Sequence, residues 1–298
     1  MKAAIRTKRG PPEVIKIMEI DMPEPDKDEV LVAVKAATVT RGDAIMLKVP
    51  WILYPLMRLL VGYRSKKIFG TEYAGIIEAV GEGVTEFKPG DEVFGLTTQE
   101  KMGGQAEKIV VSASKIIAKK PKTFDFKQSA AIIVGAMTAL QILRKKGIEE
   151  AKRVMIYGAS GSVGSFAVQV AKNYGAKVTG VCSTQNMDMV RSLGADQVLD
   201  YTSVEFSTHQ ETYDLIFDAV NKLNKKDRNR FKHENTRTVT SMASTKESVE
   251  ALQEIAELAD TGKLVPFIDQ EFSLDQIVEA YKIVVSGRKR GNIVILMG

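Results

Sequence analysis

Arg153–Gly164 reads RVMIYGASGSVG: four apolar or aromatic side chains in a row, then seven residues none larger than valine. The next stretch, Ser165–Tyr174, spaces its apolar residues along one face of a helix. A buried strand must therefore bend at once into a helix, and small residues permit such a bend. Gly161 lets the backbone approach a diphosphate, and Gly164 lets the helix lie close against the strand. Helix-start amides and the positive end of the helix dipole would then hold the phosphates. Ala159 stands at the first glycine of the usual fingerprint, which is tolerable only if its φ is negative. A second strand, Lys177–Cys182, follows about 20 residues on, as a dinucleotide-binding unit requires. Ala159, Ser160, Gly161, Ser162, Val163 and Gly164 are accordingly the first candidate cofactor contacts.

The residues after that second strand choose the dinucleotide. An acid there binds the ribose hydroxyls of NAD. This chain has Ser183-Thr184-Gln185-Asn186 instead, with no carboxylate before Asp188. Two hydroxyls and two amides donate to a 2′-phosphate without repelling it, so NADPH is expected, with Ser183 and Thr184 among its contacts. The lack of a nearby Lys or Arg leaves NADH admissible. Tyr201, past the third strand, either closes over the adenosine phosphate or is an edge aromatic.

Outward from this unit, strands and helices alternate. Gln128–Lys145 and Asn186–Leu193 read as helices, and Gln197–Leu199 and Tyr213–Asp218 as strands. That alternation predicts a parallel sheet with helices on its faces. Asn221–Thr236 (NKLNKKDRNRFKHENT) is highly charged, yields no full strand–helix–strand unit and is expected as a solvated loop or short helix. Lys246–Ala259 is patterned as a helix ended by Gly262, and Asn292–Leu296 as a strand. The first ~120 residues carry short strands and turns instead, as a small barrel-like β domain would. Glu29–Ala36 is expected as a half-buried strand, Tyr73–Val80 as a strand ended by Gly81 and Gly83, and Phe87–Phe94 as a turn entering a strand. Gly104–Val111 is a further strand candidate.

The 298 residues are 44% apolar and 27% charged, an ordinary globular composition, with a net charge of +5. No Lys/Arg cluster is interleaved with aromatics, so no nucleic-acid surface is expected. Cys182 is the single cysteine and His209 and His233 the only histidines, which excludes an internal disulfide and any multi-thiolate metal centre. Cys182 reads as a structural strand-end residue and His209 as a solvated loop histidine. The start lacks a signal-peptide pattern. The longest apolar stretch, Val49–Gly62, is broken by Pro50, Pro55 and Arg58. No transmembrane segment is expected, and the cytoplasm is the default location.

These motifs jointly resemble the medium-chain dehydrogenase/reductase superfamily, in its zinc-independent, quinone oxidoreductase-like (zeta-crystallin-like) branch. The resemblance spans nearly the whole chain. It is carried by Gly10-Pro11-Pro12-Glu13-Val14, by Phe69–Gly75 followed by Val80–Val84, by Phe87–Gly95, by Gly135–Leu140, and by Leu193–Asp196 with Asp200-Tyr201. It implies a doubly wound Rossmann α/β domain at 122–265, shortened after 218, and a GroES-like, mainly β catalytic domain at 1–121 and 266–298. Thr138 would sit beside the nicotinamide in a cleft between the lobes, and Asn292 would reach the cofactor from the last strand. Catalytic zinc ligands of metal-dependent relatives fall on Thr40, Thr71 and Val134, none of which suits zinc. Sheet-edge pairing in relatives implies a homodimer, whose mode the shortened region after 218 puts in question.

The expected function is therefore hydride transfer from NADPH to a quinone, enone or similar apolar carbonyl substrate, without zinc. A non-catalytic NADPH-binding sensor or scaffold, and an NAD(P)-dependent alcohol dehydrogenase, are the alternatives. Thr40, Asp43, Tyr54 and Tyr63 are the substrate-pocket candidates, the tyrosines on the apolar stretch Pro50–Tyr63, which reads as a lid, a buried helix or a membrane-surface segment. Asp43 equally suits a helix cap, and Arg41 suits a phosphate contact or a surface ion pair. No catalytic proton donor is named.

Overall fold

A computed structural model describes residues 1–50, 53, 67–98, 100 and 103–298. The chain divides into two compact units, one of 1–133, 248–260 and 268–298, the other of 134–247 and 261–267.

The first unit begins with a hairpin-like antiparallel pair, β1 (Lys2–Arg6) and β2 (Ile15–Glu19). Then come β3 (Glu29–Thr38), α1 (Arg41–Met46), β4 (Glu72–Val80), β5 (Glu92–Leu96), β6 (Lys108–Ser112), β7 (Ile117–Lys119) and α2 (Phe126–Ala131). The expected half-buried alternation of Glu29–Ala36 is corrected. Between its two ends β3 is buried on both faces, apart from Lys35. The reason is position: strands pair along both its edges, Val30, Val32 and Val34 lie in the unit's apolar core, and α2 packs against the strand. A Val-Leu-Val-Ala-Val run suits such a central strand.

The second unit opens with α3 (Ile133–Lys145), β8 (Arg153–Tyr157), α4 (Ser162–Asn173), β9 (Lys177–Cys182), α5 (Met187–Ser192), β10 (Gln197–Asp200), α6 (Val204–Thr208) and β11 (Tyr213–Asp218). It closes with α7 (Lys225–Arg230) and β12 (Lys232–Thr240). Its five strands are all parallel, in the order β10-β9-β8-β11-β12. The order reverses at β8, which places a crevice beyond that strand's carboxyl end. One face is cored by Met155, Val181, Leu199, Phe206, Tyr213, Ile216, Leu223 and Phe231. Phe166, Ala167 and Val170 give α4 a fully buried side.

Three expectations change here. Gln128–Lys145 is two helices rather than one: α2 starts earlier, where Asp125 and Gln128 form a reciprocal capping box, and the break falls at Ile132. Asn221–Thr236 contains the expected short solvated helix, Lys225–Arg230, but it also completes the strand–helix–strand unit that was not expected. Asn224 caps α7, and β12 then pairs in parallel with β11, so a charged sequence forms an ordered sheet edge. Its charge reflects that edge position, where one side of the strand faces solvent. His209 is not solvated: its side chain is 11% exposed, with Nε2 2.7 Å from the Tyr213 hydroxyl.

The chain then returns to the first unit through α8 (Val249–Asp260), packed on β7, followed by β13 (Ile268–Ser273), α9 (Ile277–Ser286) and β14 (Asn292–Leu296). β13 and β14 are parallel neighbours joined through α9, and β14 lies between β13 and β3 in the seven-stranded sheet. Among the described residues no helix is long and apolar enough to cross a membrane.

Candidate functional site

The bend after β8 sits at the reversal of strand order. Gly158 turns the chain with φ 79°, and the amides of Gly158 and Ala159 both donate to the Val181 carbonyl, at 2.9 and 3.0 Å. The turn is thereby tied to β9. Ala159 is fully buried without a positive φ; among the described residues Asn221 is the only non-glycine that has one. Gly161 is the N-cap of α4, at φ −80° and ψ 173°, and no side chain caps the helix. A Cβ there would find only the Gly158 carbonyl oxygen, at 3.6 Å, so the space in front of the helix start is open. A Cβ on Gly164 would lie 2.1 Å from that oxygen and 2.9 Å from Ala159 Cα, because α4 rests directly on the turn. Ser160, Gly161, Ser162 and Val163 are half-buried, whereas Ala159 and Gly164 are buried. The result is an uncapped helix start with open space before it, the kind of place where backbone amides can meet an anion. On α3, Val134 and Thr138 are the two half-buried positions within 131–140, one helical turn apart on a shared face.

The adenosine end differs from the sequence expectation. Asn186 is 7% exposed, and its Nδ2 donates to both Ser160 Oγ and Ser183 Oγ, at 3.1 Å each, bridging the bend to the end of β9. The Thr184 hydroxyl donates to Asp200 Oδ2. Two of the four donors read as free for a 2′-phosphate are therefore engaged within the protein, leaving Ser183 and Gln185. The statement that no carboxylate precedes Asp188 is true along the chain but not in space. Asp200 closes β10, whose register sets it opposite Cys182. Hydrogen bonds from the Thr184 hydroxyl and the Thr202 amide hold the Asp200 carboxyl below its usual range. Asp188 instead pairs with Arg191 at 2.8 Å on the surface. Tyr201 is half-exposed, its ring 6.4 Å from that of Tyr157. Burial pushes the Cys182 thiol up to about 11.

Sequence reading passed over Asp218. This buried carboxylate ends β11 and collects the amides of Val220, Lys222 and Leu223, at 3.2, 3.2 and 2.8 Å. It folds the 219–223 loop back so that Val220 lies over Gly158. The available signal was an acid closing an otherwise apolar strand, YDLIFD.

In the first unit, Thr40 caps α1 in a reciprocal box with Asp43. The Thr40 hydroxyl donates to Asp43 Oδ2 at 2.7 Å, and the Thr71 hydroxyl lies 3.3 Å from Thr40 Oγ1 and 3.2 Å from Asp43 Oδ2. Burial raises the Asp43 carboxyl above its ordinary range, opposed by the hydrogen bonds it accepts from Thr40, Thr71 and the Gly70 amide. Asp43 is thus both a cap and the centre of a hydroxyl cluster. Arg41, the first residue of α1, is exposed. Asn292 opens β14 and is buried. Tyr54 and Tyr63, with the rest of the expected lid apart from Pro50 and Leu53, lie outside the described residues. Two threonine hydroxyls committed to a carboxylate, and a valine at position 134, do not form a zinc donor set.

Comparison with known proteins agrees with this architecture. The family model for the alcohol dehydrogenase GroES-like domain matches residues 26–122. Two models described as zinc-binding dehydrogenase match 162–230 and 221–295. The 2-methylene-furan-3-one reductase of Solanum lycopersicum is 30% identical, across 99% of this chain and 79% of that protein. The mitochondrial NAD(P)H oxidoreductase RTN4IP1 of Mus musculus is 33% identical, across 81% of this chain and 73% of that protein. In fold, the chain is similar to the quinone oxidoreductase from Coxiella burnetii, with a TM-score of 0.82 and 23% identity, covering 99% of each chain.

Proposed function

The chain belongs to the medium-chain dehydrogenase/reductase superfamily, in its quinone oxidoreductase-like branch, and from that premise we propose that it reduces quinones, enones or similar apolar carbonyl compounds at the expense of NAD(P)H. The observation that carries this reading is the open cradle at Gly161, set on a buried strand at the reversal of sheet order. When bound, the dinucleotide supplies the hydride. The chain's own residues do the rest. The α4 start, from Ser162 to Gly164, holds the diphosphate, and Ser160 and Ser183 line its path toward the adenosine. NADPH is the cofactor we assign, through Ser183 and Gln185, with NADH as the alternative. Thr138 is assigned to the nicotinamide end.

On the substrate side we assign Thr40 and Thr71 as donors to the carbonyl oxygen, each turning toward substrate the one hydroxyl proton that Asp43 otherwise accepts. Reduction of a conjugated carbonyl builds negative charge on that oxygen, and hydrogen-bond donors suffice to stabilise it. The residues at 40, 71 and 134 offer zinc no thiolate or imidazole, so no metal step is derived. The sensor or scaffold reading rested on a truncated nucleotide unit. With β12 in place the sheet runs to a fifth parallel strand, so the shortened region after 218 still carries an ordered strand beside β11, and turnover in the assay below separates the two readings.

The test is a panel of quinones, enones and aldehydes assayed with NADPH and NADH on chelator-treated protein. Turnover of quinones or enones, unaffected by the chelator, is the expected result. Failure to oxidise either dinucleotide with every acceptor would refute the reading, and activity restored only by zinc would return it to alcohol dehydrogenase chemistry.

A further inference from the structure

The choice between the two dinucleotides turns on a group that the chain order hides. Asp200 and Thr184 are sixteen residues apart in sequence, yet β9 and β10 are parallel neighbours and their carboxyl ends coincide. Thr184 Oγ1 donates to Asp200 Oδ2, and the Thr202 amide and hydroxyl both donate to Asp200 Oδ1 at 2.8 Å. The Tyr201 amide donates to the Cys182 carbonyl at 3.2 Å, locking the two strand ends together. Nothing in this arrangement neutralises the carboxylate: its partners are the hydroxyls and backbone amides of Thr184 and Thr202. Among residues 183–190 there is no Lys or Arg, and Arg191 is paired with Asp188.

We propose that Asp200 is the residue that sets cofactor selectivity, its fixed carboxylate opposing the 2′-phosphate of NADPH and leaving NADH, which lacks that phosphate, unopposed. The claim rests on the dinucleotide reading above and adds to it a specific residue. A carboxylate offers about four lone-pair positions; the hydroxyl and backbone of Thr184 and the amide and hydroxyl of Thr202 take them up, so Asp200 acts on a ligand through its charge. A 2′-phosphate held at Ser183 and Gln185 would meet the same negative charge, fixed beside Thr184. For an assumed separation of about 6 Å in water-like surroundings, that repulsion costs a factor of about five to ten in affinity for a group bearing nearly two charges. Asp200 acts on selectivity through charge, and holds Thr184 in place as a positioning residue.

Asp200→Asn keeps an oxygen for the Thr202 amide while removing the charge, and Asp200→Ser is the second variant should the first fail to fold. Dissociation constants for NADPH and NADH are measured by fluorescence titration on the full chain, at low salt and at 1 M salt. Expected is a five- to tenfold rise in the NADPH-to-NADH affinity ratio at low salt, shrinking toward the natural chain's ratio in 1 M salt as the charges are screened. Both dissociation constants moving together, or a ratio shift that salt leaves intact, would make Asp200 a turn brace alone and overturn the proposal. If the natural chain binds neither dinucleotide, the cofactor reading itself falls. If it binds both while the variants leave the ratio unchanged, only the selectivity claim falls.

Discussion

Gly161→Ala and Gly164→Ala are the same chemical change three residues apart, and the structure assigns them opposite consequences. At Gly164 the new methyl would lie 2.1 Å from the Gly158 oxygen and 2.9 Å from Ala159 Cα, both backbone atoms. Normal contact lies near 3.5 Å, so α4 must move off the turn by more than about an ångström. Overpacking of this kind costs about 1–3 kcal/mol. With backbone on both sides the upper end applies, roughly 6–12 °C in melting temperature. At Gly161 the methyl meets one oxygen at 3.6 Å, and the φ of −80° suits alanine. The loss there is that of an N-cap glycine, about 0.5–1 kcal/mol. The methyl instead fills the approach to the helix-start amides. Losing one or two charge-assisted hydrogen bonds of about 1.5–3 kcal/mol lowers dinucleotide affinity at least tenfold. Thermal melts and fluorescence titrations on both variants separate the effects. A Gly161→Ala protein that binds the dinucleotide like the natural chain, or a Gly164→Ala protein that melts with it, would refute the assignment of cradle and packing contact.

Asp43, whose pKa burial raises above its ordinary 3.8, keeps a proton in the folded chain that the unfolded chain has released. Stability therefore falls as pH rises from about 4 through the raised value and then levels off. Asp43→Asn cannot titrate, so its melting temperature relative to the natural chain climbs across that window; a pH-independent difference would contradict the raised pKa. Asp218→Asn weakens bonds to three amides and costs about 1–3 kcal/mol, and hydrogen exchange at Val220, Lys222 and Leu223 accelerates. Exchange unchanged at those positions would deny Asp218 its hold on the loop. The Cys182 thiol, pushed up to about 11 and 2% exposed, stays unmodified by a thiol reagent near pH 8 until the chain unfolds. Stoichiometric labelling of the native protein would show the site is open.

Local sequence carried the nucleotide unit because its signals are local. Arg153–Gly164 names a strand, a bend and a helix in twelve consecutive residues, and the packing around Gly164 follows from the absence of a side chain. What stayed hidden depends on neighbours far apart in the chain. Asp200 lies against Thr184 through strand adjacency, and no scan along β9 alone would find it. Lys232–Thr240 carries too many charges to read as a strand; only its place at the edge beside β11 explains how charged residues can stand in a sheet. In the first unit, Thr40 and Asp43 were legible as a capping pair, whereas Thr71, 28 residues beyond Asp43, joins them only through tertiary structure.

The place of β14 governs the order in which a nascent chain can finish. Its pairing partner β3 emerges first and must wait for more than 250 further residues before that flank is covered, because Thr38, Ala37 and Ala36 are matched with Val294, Ile295 and Leu296. The second unit, by contrast, has all five of its strands once Thr240 has been made. During synthesis on the ribosome the parallel sheet of the second unit is thus complete, lacking only the packed segment 261–267, while the first unit still exposes an apolar strand edge. Deletion of Asn292–Leu296 would leave that flank of β3 uncovered and open to edge-to-edge aggregation.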